Sequence, residues 1–211
     1  MEGLLAAIQS LMERDERVLL GITGEPGAGK STLAASLLDH LGSDNAVVLP
    51  MDGYHLAGAE LERLGRAHRK GAIDTFDAHG FVHTLERIAR QRGPGDDALE
   101  AVYAPAFDRD LEEPIAGAVA VSADHSVVIV EGNYLLAEQG PWGRIPALLS
   151  STWFLSVGAE LRQRRLIARH ERHGVPPAAA QSHALGSDQV NAEFIASTAT
   201  RADLIVEMPA G

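Results

Sequence analysis

The chain has 211 residues, 45% hydrophobic and 22% charged, proportions that suit one globular domain with a full hydrophobic core. Its net charge of −11 argues against a nucleic-acid partner, because binding a phosphate backbone needs a broad basic surface. The absence of cysteine excludes disulfides and thiolate chemistry, and no apolar run approaches the roughly 18 residues of a membrane span. We therefore expect a single cytoplasmic domain over residues 1–211, without a membrane partner.

Short apolar runs alternate with helical patterns along the chain. Residues 4–16 carry an apolar stripe at helical spacing and no basic leader, which predicts an amphipathic helix and no secretion signal. Strands are predicted at Val18–Ile22, Ala46–Pro50, Val127–Val130, Trp153–Val157 and Leu204–Val206. Further helices are predicted at Lys30–Leu41, Phe81–Arg92, Ala159–His173 and Ser187–Ala199. This alternation is typical of a parallel sheet covered on both faces, with a ligand site at the carboxyl ends of the strands.

A glycine-rich segment joins the first predicted strand to the following helix and matches the pattern G-x-x-x-x-G-K-S/T. Its glycines let successive N–H groups face an anion, and the helix N-terminus adds partial positive charge. We expect Lys30 to reach the β- and γ-phosphates of ATP and the Ser31 hydroxyl to bind Mg²⁺. The predicted nucleotide-binding residues of this loop are Gly24, Glu25, Pro26, Gly27, Ala28, Gly29, Lys30, Ser31 and Thr32.

Carboxylates follow two other predicted strands. Glu131 comes directly after the apolar run VVIV, where a second magnesium-side group is expected; a loop-capping carboxylate is the alternative. Asp52 follows the second strand, so its carboxylate should face the same crevice and could accept the proton of an attacking hydroxyl group. An Asp-Gly turn without a catalytic role remains open for Asp52 on the residues alone.

Arginines are concentrated on one predicted helix of this acidic chain. Arg162, Arg165 and Arg169 are spaced so that they share a helical face, which could close over the phosphates as a lid spanning approximately residues 159–186. We expect Arg162 to contact the nucleotide, and Arg165 and Arg169 to stabilise the transferring phosphoryl group. The alternative is a solvated helix face, which we expect for Arg164 and Arg172.

Seven segments, spread over residues 24–206, together resemble one group of P-loop kinases. They are GEPGAGKST, MDGYHL, RKGAIDTFDAHGFVHTL, VYAPAFDRDLEEP, IVEGNYLL, RQRRLIARHERHG and DQVNAEFIASTATRADLIV. The group is that of uridine kinase, phosphoribulokinase and bacterial pantothenate kinase. Within it the chain looks most similar to nucleoside/nucleotide kinase family proteins, some of which are named as fructose transport system kinases.

This resemblance implies a P-loop NTPase three-layer sandwich, with five parallel strands, the P-loop strand in the centre and a small helical lid. It also implies that Asp52 is the base and that Glu131 assists Mg²⁺. It assigns to the acceptor pocket the residues Tyr54, His55, Lys70, Asp74, Tyr103, Phe107, Asp108 and Arg109. Asn191 falls where the adenine end of the nucleotide is contacted in such kinases.

We therefore predict transfer of the ATP γ-phosphoryl group to a hydroxyl group of a small metabolite, in a pocket built from loops at 52–77 and 103–113. The acceptor stays open between a nucleoside, a pantothenate-like compound and a sugar, and the protein between a monomer and a homodimer. The alternative function is a nucleotide-binding accessory or switch protein. A guanine-reading N/T-K-x-D segment, which a GTPase switch would carry, is absent from the sequence.

Overall fold

The computed structural model describes residues 1–14, 17–91, 101–172 and 174–208. Its strands are β1 (Val18–Gly24), β2 (Ala46–Pro50), β3 (Val102–Asp108), β4 (Glu113–Val121), β5 (Val127–Glu131), β6 (Ser151–Ser156) and β7 (Leu204–Glu207). Its helices are α1 (Glu2–Met12), α2 (Lys30–Leu41), α3 (Gly58–Arg63), α4 (Ala78–Arg90), α5 (Ala159–Arg172), α6 (Pro177–Leu185) and α7 (Ser187–Ala196). The predicted helix ends at Arg92 and His173 lie outside the described residues. Within those residues, no helix is both long and apolar enough to cross a membrane.

Five strands form one parallel sheet in the order β2-β5-β1-β6-β7, which confirms the predicted sheet with the strand before the glycine-rich loop at its centre. All seven residues of β1 are buried, as expected for a strand covered on both faces. Helices α1 and α2 bury Ile8 and Leu37 against one face, and α4 packs Phe81 and Leu85 against the other. The domain is therefore the predicted three-layer sandwich.

The register of the parallel strands aligns their carboxyl ends. Glu131, the last residue of β5, lies opposite Ile22 of β1 on one side and Pro50 of β2 on the other. The glycine-rich loop leaves β1 two residues after Ile22, and the turn that contains Asp52 leaves β2 directly after Pro50. Three chain segments with polar side chains therefore meet at one edge of the sheet.

An antiparallel hairpin of β3 and β4 lies outside the main sheet, and the sequence did not predict it. The prediction of a loop at 103–113 was wrong, because β3 runs to Asp108 and β4 begins at Glu113. Several contacts hold the hairpin against the segment after β2. Among them, the Glu113 carboxylate accepts a hydrogen bond from the Gly58 amide at 2.9 Å, and the Gly53 backbone abuts the Pro105 peptide. The hairpin thus packs next to the carboxyl ends of the sheet strands.

The predicted lid is helical. Helix α5 is followed by α6, which begins at Pro177, so the Pro176-Pro177 pair starts a new helix. Proline is favoured at the first helical position because its missing N–H would have no partner there. The carbonyl oxygen of Arg162 in α5 lies 2.8 Å from the position that a Cβ atom on Gly27 would occupy. The first turn of α5 therefore packs directly against the glycine-rich loop.

Candidate active site

The glycine-rich loop connects β1 to α2 in a conformation that depends on its glycines. Gly27 and Gly29 have φ angles of 85° and 98°, in the left-handed region where a side chain is strained. Gly29 is also the N-cap of α2. The loop therefore curls over the amino end of α2, as a phosphate-binding loop must.

Lys30 is 7% exposed and lies under this loop. Its Nζ donates hydrogen bonds to the carbonyl oxygens of Gly24 and Glu25, at 2.9 and 3.1 Å. Burial lowers the pKa of Lys30, and the nearby carboxylates of Glu131 and Asp52 oppose that shift. The structure thus brings together the lysine and both carboxylates that the sequence predicted at this edge.

Glu131 lies near Lys30 and Ser31, the first two residues of α2. Burial raises the pKa of its carboxyl group, while the charge of Lys30 and a hydrogen bond with the Ser31 hydroxyl lower it. Ser31 and Thr32 are both exposed on that first turn. A hydroxyl and a carboxylate next to a phosphate-binding loop are the oxygen ligands that Mg²⁺ takes in nucleotide sites. No cluster of three or more His, Asp or Glu side chains suited to a metal occurs among the described residues, so a magnesium ion here would need phosphate oxygens as further ligands.

Asp52 lies in a short 3-10 helix, Met51–Tyr54, that directly follows β2. Its carboxylate forms an ion pair with Arg109 from the tip of the hairpin, and its carbonyl oxygen accepts a 2.8 Å hydrogen bond from His55 Nδ1. Burial acts to raise the pKa of Asp52, but the charge of His55 when it is protonated and the charges of Arg109, Lys30 and Arg169 outweigh it, and the pKa is lowered. Asp52 is therefore an ionised carboxylate at neutral pH.

Aromatic rings and two cations border Asp52 on the hairpin side. The His55 ring lies 4.0 Å from the Phe76 ring and 5.0 Å from the Phe107 ring, measured between centroids. Lys70 Nζ and Arg109 Cζ lie 4.9 and 4.8 Å from the centroid of Phe107. Burial lowers the pKa of His55, so this side chain is neutral at physiological pH. Asp52 is therefore bordered on this side by aromatic rings and by the cations Lys70 and Arg109.

The other residues predicted for the acceptor pocket, Tyr54, Tyr103, Asp108 and Asp74, make different contacts. Tyr54 is buried in the core against Phe81, with ring centroids 4.9 Å apart, and burial raises its pKa to about 12. Tyr103 is 60% exposed at the far end of β3. Asp108 accepts hydrogen bonds from two backbone amides of its own turn, and Asp74 pairs with Arg66 and Arg69.

The three predicted lid arginines occupy different environments. Arg165 approaches the loop, with Nη1 3.7 Å from the position of a Cβ atom on Gly29, and the charge of Arg169 lowers the pKa values of Lys30 and Asp52. Arg162 is only 1% exposed and lies beneath the loop, 3.3 Å from a Glu25 carboxylate oxygen. Its guanidinium also donates to Gln189 of α7, a partner that no local sequence signal identified. Arg164 and Arg172 are exposed, and Asn191 lies half-buried on α7.

Comparisons with known proteins agree with this geometry, although no protein-family model matches the chain. A protein of Aspergillus versicolor named ATP-dependent kinase-like protein notR' is 38% identical over 151 residues, covering 69% of this chain and 86% of the relative. A protein of Schizosaccharomyces pombe, provisionally named as a uridine kinase, is 30% identical over 209 residues, covering 93% and 86%. The crystal structure of a provisionally named fructose transport system kinase from Silicibacter sp. TM1040 superposes with a TM-score of 0.80 at 36% identity, covering 95% of this chain and 97% of that one. The chain therefore belongs to the family of P-loop kinases that includes these relatives.

Proposed function

We propose that this protein transfers the γ-phosphoryl group of Mg-ATP to a hydroxyl group of a small metabolite. The observation that carries the proposal is the convergence of Lys30, Glu131 and Asp52 at the carboxyl edge of the sheet, beside the glycine-rich loop. The names of the relatives, which describe kinases, support the same reaction class. A donor site and a proton acceptor at one edge are the two parts that phosphoryl transfer to an alcohol requires.

On the donor side, the loop amides and the Lys30 ammonium bind the phosphates of ATP. The Lys30 Nζ donates hydrogen bonds to carbonyl oxygens of the loop itself, so its ammonium group lies where the loop would hold the phosphates. Ser31 and Glu131 are the residues that would hold Mg²⁺, whose charge neutralises the phosphates when it is bound. These residues fit the ion, since both offer oxygen ligands next to the phosphate-binding loop.

On the acceptor side, Asp52 orients the attacking hydroxyl group and receives its proton. A lowered pKa makes Asp52 a weak base, but it also keeps the carboxylate ionised and able to accept a hydrogen bond from the alcohol. A weak base suffices because the transition state of phosphoryl transfer is loose and the proton moves late. His55, Lys70 and Arg109 border the space in which the acceptor would lie.

The lid arginines act on the charge that develops during transfer. Arg165 and Arg169 lie near the loop and near Lys30, where guanidinium groups stabilise the transferring phosphoryl group. Arg162 acts indirectly in this proposal. Its contacts with Glu25 and Gln189 hold α5 and α7 against the loop, so that it positions the other two arginines.

The test is release of ADP from Mg-ATP in the presence of nucleosides, pantothenate, sugars, polyols and sugar phosphates, with the phosphorylated product identified by mass spectrometry. One acceptor should raise ADP release far above the background. With that acceptor, Asp52→Asn should reduce turnover about 100-fold or more while ATP affinity stays within about twofold. The exposed Asp39→Asn variant is the matched control and should retain full activity.

Near-normal turnover of Asp52→Asn would refute the role of this carboxylate. Tight ATP binding without any acceptor-dependent ADP release would favour the alternative, a nucleotide-binding accessory or switch protein. Absence of ATP binding would refute both.

A further inference from the structure

We infer that the acceptor alcohol carries an anionic group, a carboxylate or a phosphate, and that this group takes the Arg109 guanidinium away from Asp52. Asp52 then becomes available as a proton acceptor only when the acceptor is bound. The inference rests on the proposed function and deepens it, because it names the class of acceptor and ties the base to acceptor binding.

The starting observation is the ion pair between Arg109 and Asp52. The two side chains come from distant segments, the hairpin tip and the turn after β2, and the pair is an ion pair between them. The side chain of Arg109 is 46% exposed and that of Asp52 31% exposed, so a ligand can reach both. While the pair is formed, one carboxylate oxygen of Asp52 is engaged by a cation and is a poorer acceptor for a proton.

A second cation lies next to the first. Lys70 and Arg109 both contact the Phe107 ring, at 4.9 and 4.8 Å from its centroid, so their charges are less than 10 Å apart. In the described part of the chain, the Lys70 ammonium donates one hydrogen bond, to the Glu112 carbonyl oxygen at 2.6 Å. Its distance to the Glu112 carboxylate is 3.9 Å, and that carboxylate is 57% exposed, which makes the ion pair weak. Lys70 therefore keeps N–H donors for a ligand anion.

An anion is the chemistry that this arrangement recognises. A ligand can shift the position of Arg109 only if it binds the released guanidinium better than the paired one. A carboxylate or phosphate beside Lys70 offers Arg109 a replacement partner of the same charge as Asp52, often with two parallel hydrogen bonds. A neutral alcohol offers no such replacement, so Arg109 would remain on Asp52.

Pairing of Arg109 with Asp52 also affects the hydrolysis of ATP by water. When Asp52 is unpaired, it can also accept a proton from a water molecule at the γ-phosphate. In that reaction the water oxygen bonds to the γ-phosphorus, the bond to the bridging oxygen breaks, ADP leaves, and the water proton passes to the Asp52 carboxylate. The Arg109 pair thus protects ATP from hydrolysis until an anionic acceptor displaces both the guanidinium and the water.

The first experiment measures ADP release from Mg-ATP without any acceptor. Arg109→Gln should raise this rate about tenfold over the wild type, the effect expected for loss of one charge-assisted hydrogen bond at a half-exposed site. Adding Asp52→Asn to Arg109→Gln should return the rate to the wild-type value, because the gain depends on the freed carboxylate. Arg63→Gln, an exposed arginine on α3, is the control and should leave the rate unchanged.

The second experiment adds simple anions at constant ionic strength. Acetate stands for a carboxylate and methylphosphonate for a phosphate; neither is a phosphoryl acceptor of the alcohol class. One of them should stimulate acceptor-free ADP release of the wild type, and the more effective one identifies the anion. Lys70→Met should abolish this stimulation, and Arg109→Gln should be fast with or without the anion.

The outcomes separate this inference from the proposed function. If Mg-ATP raises the melting temperature of the wild type and of Arg109→Gln alike, but ADP release of the two is equal, the inference is wrong and the kinase proposal stands. If neither protein binds Mg-ATP, the proposed function fails first. Arg109→Ala serves as a second variant in case Arg109→Gln does not fold, and equal rates there lead to the same conclusion.

Discussion

A single methyl group at position 53 should separate the hairpin from the proposed base. An ideal Cβ atom on Gly53 would lie 2.2 Å from the Pro105 carbonyl oxygen, 2.5 Å from its carbon and 2.9 Å from the Ala106 nitrogen. Ordinary contacts begin near 3.4 Å, so Gly53→Ala requires the two segments to move apart by about 1 Å. Both partners are backbone, which cannot move aside by changing a rotamer.

The size of the effect follows from this overlap. Inserting a methyl group into a packed contact costs about 1–3 kcal/mol. For a domain of this length, each kcal/mol corresponds to about 2–4 °C in melting temperature, so Gly53→Ala should lower it by about 2–12 °C. Because Gly53 adjoins Asp52 and β3 leads to Arg109, the same shift should disturb the Asp52–Arg109 pair and raise acceptor-free ADP release.

The assay is thermal unfolding followed by far-UV circular dichroism, together with Mg-ATP titration. ATP affinity should stay within about twofold, because the glycine-rich loop is built from the end of β1 and the start of α2. Gly3→Ala is the matched control, since a Cβ atom there meets nothing within 4 Å. A melting temperature within about 1 °C of the wild type would refute the close packing of Gly53 on β3.

Three further predictions concern charged and titratable side chains. Burial lowers the pKa of His55, so the neutral side chain contributes to stability above pH 6.5, and this contribution is lost as the pH falls below that value. His55→Gln should therefore reduce the drop in melting temperature between pH 7.5 and 5.5 by about 2 °C or more. The exposed His68→Gln is the control and should not reduce the drop. Arg162→Met should lower the free energy of unfolding in urea by about 3 kcal/mol, because Glu25 loses its buried partner. Adding Glu25→Gln should restore at least half of the lost stability, and no restoration would contradict the pairing. At about 100 times the Kd of the wild type, Mg-ATP should raise the melting temperature of the wild type, and Lys30→Met should lose most of this rise. A preserved rise would contradict the donor site.

The donor half of the site could be predicted from the sequence because its geometry is local. Strand β1, the glycine-rich loop and the start of α2 follow one another within fourteen residues, Val18–Ser31, so a short pattern specifies the relative positions of Gly24, Lys30 and Ser31. Glu131 was found for a related reason. It ends an apolar run that neighbours β1, and parallel strands bring their carboxyl ends to one edge.

The hairpin could not be predicted from local pattern. Strand β3 contains Pro105, which lacks an N–H for the ladder, and its register with β4 shifts between Ala104 and Ala106. Strand β4 is rich in alanine and carries Gly117, residues with low strand propensity, and most of its positions are exposed. Pairing between the two strands, rather than the preference of either sequence, forms this element.

The direction of side chains from one short segment also depends on tertiary contacts. Tyr54 and His55 are neighbours in a segment predicted only as loop, yet the first packs on Phe81 in the core and the second lies against Phe107 at the site. Helical spacing placed Arg162 and Arg169 on one face of α5. The first turn of α5 packs against Gly27, so Arg162 is buried there, whereas Arg169 lies farther along the helix and remains half-exposed.

The two halves of the site are therefore held by different kinds of interaction. The proposed donor half depends on backbone geometry within one contiguous segment, in which a substitution such as Lys30→Met should remove nucleotide binding. The acceptor half depends on contacts between segments far apart in sequence, Asp52 with Arg109, Lys70 with Glu112, and His55 with Phe107. Each of these contacts involves a side chain outside the hydrophobic core, so substitutions there should alter the acceptor with little effect on the core. Exchange of Lys70 and Arg109 for neutral residues should accordingly change which alcohol is phosphorylated before it changes the affinity for ATP.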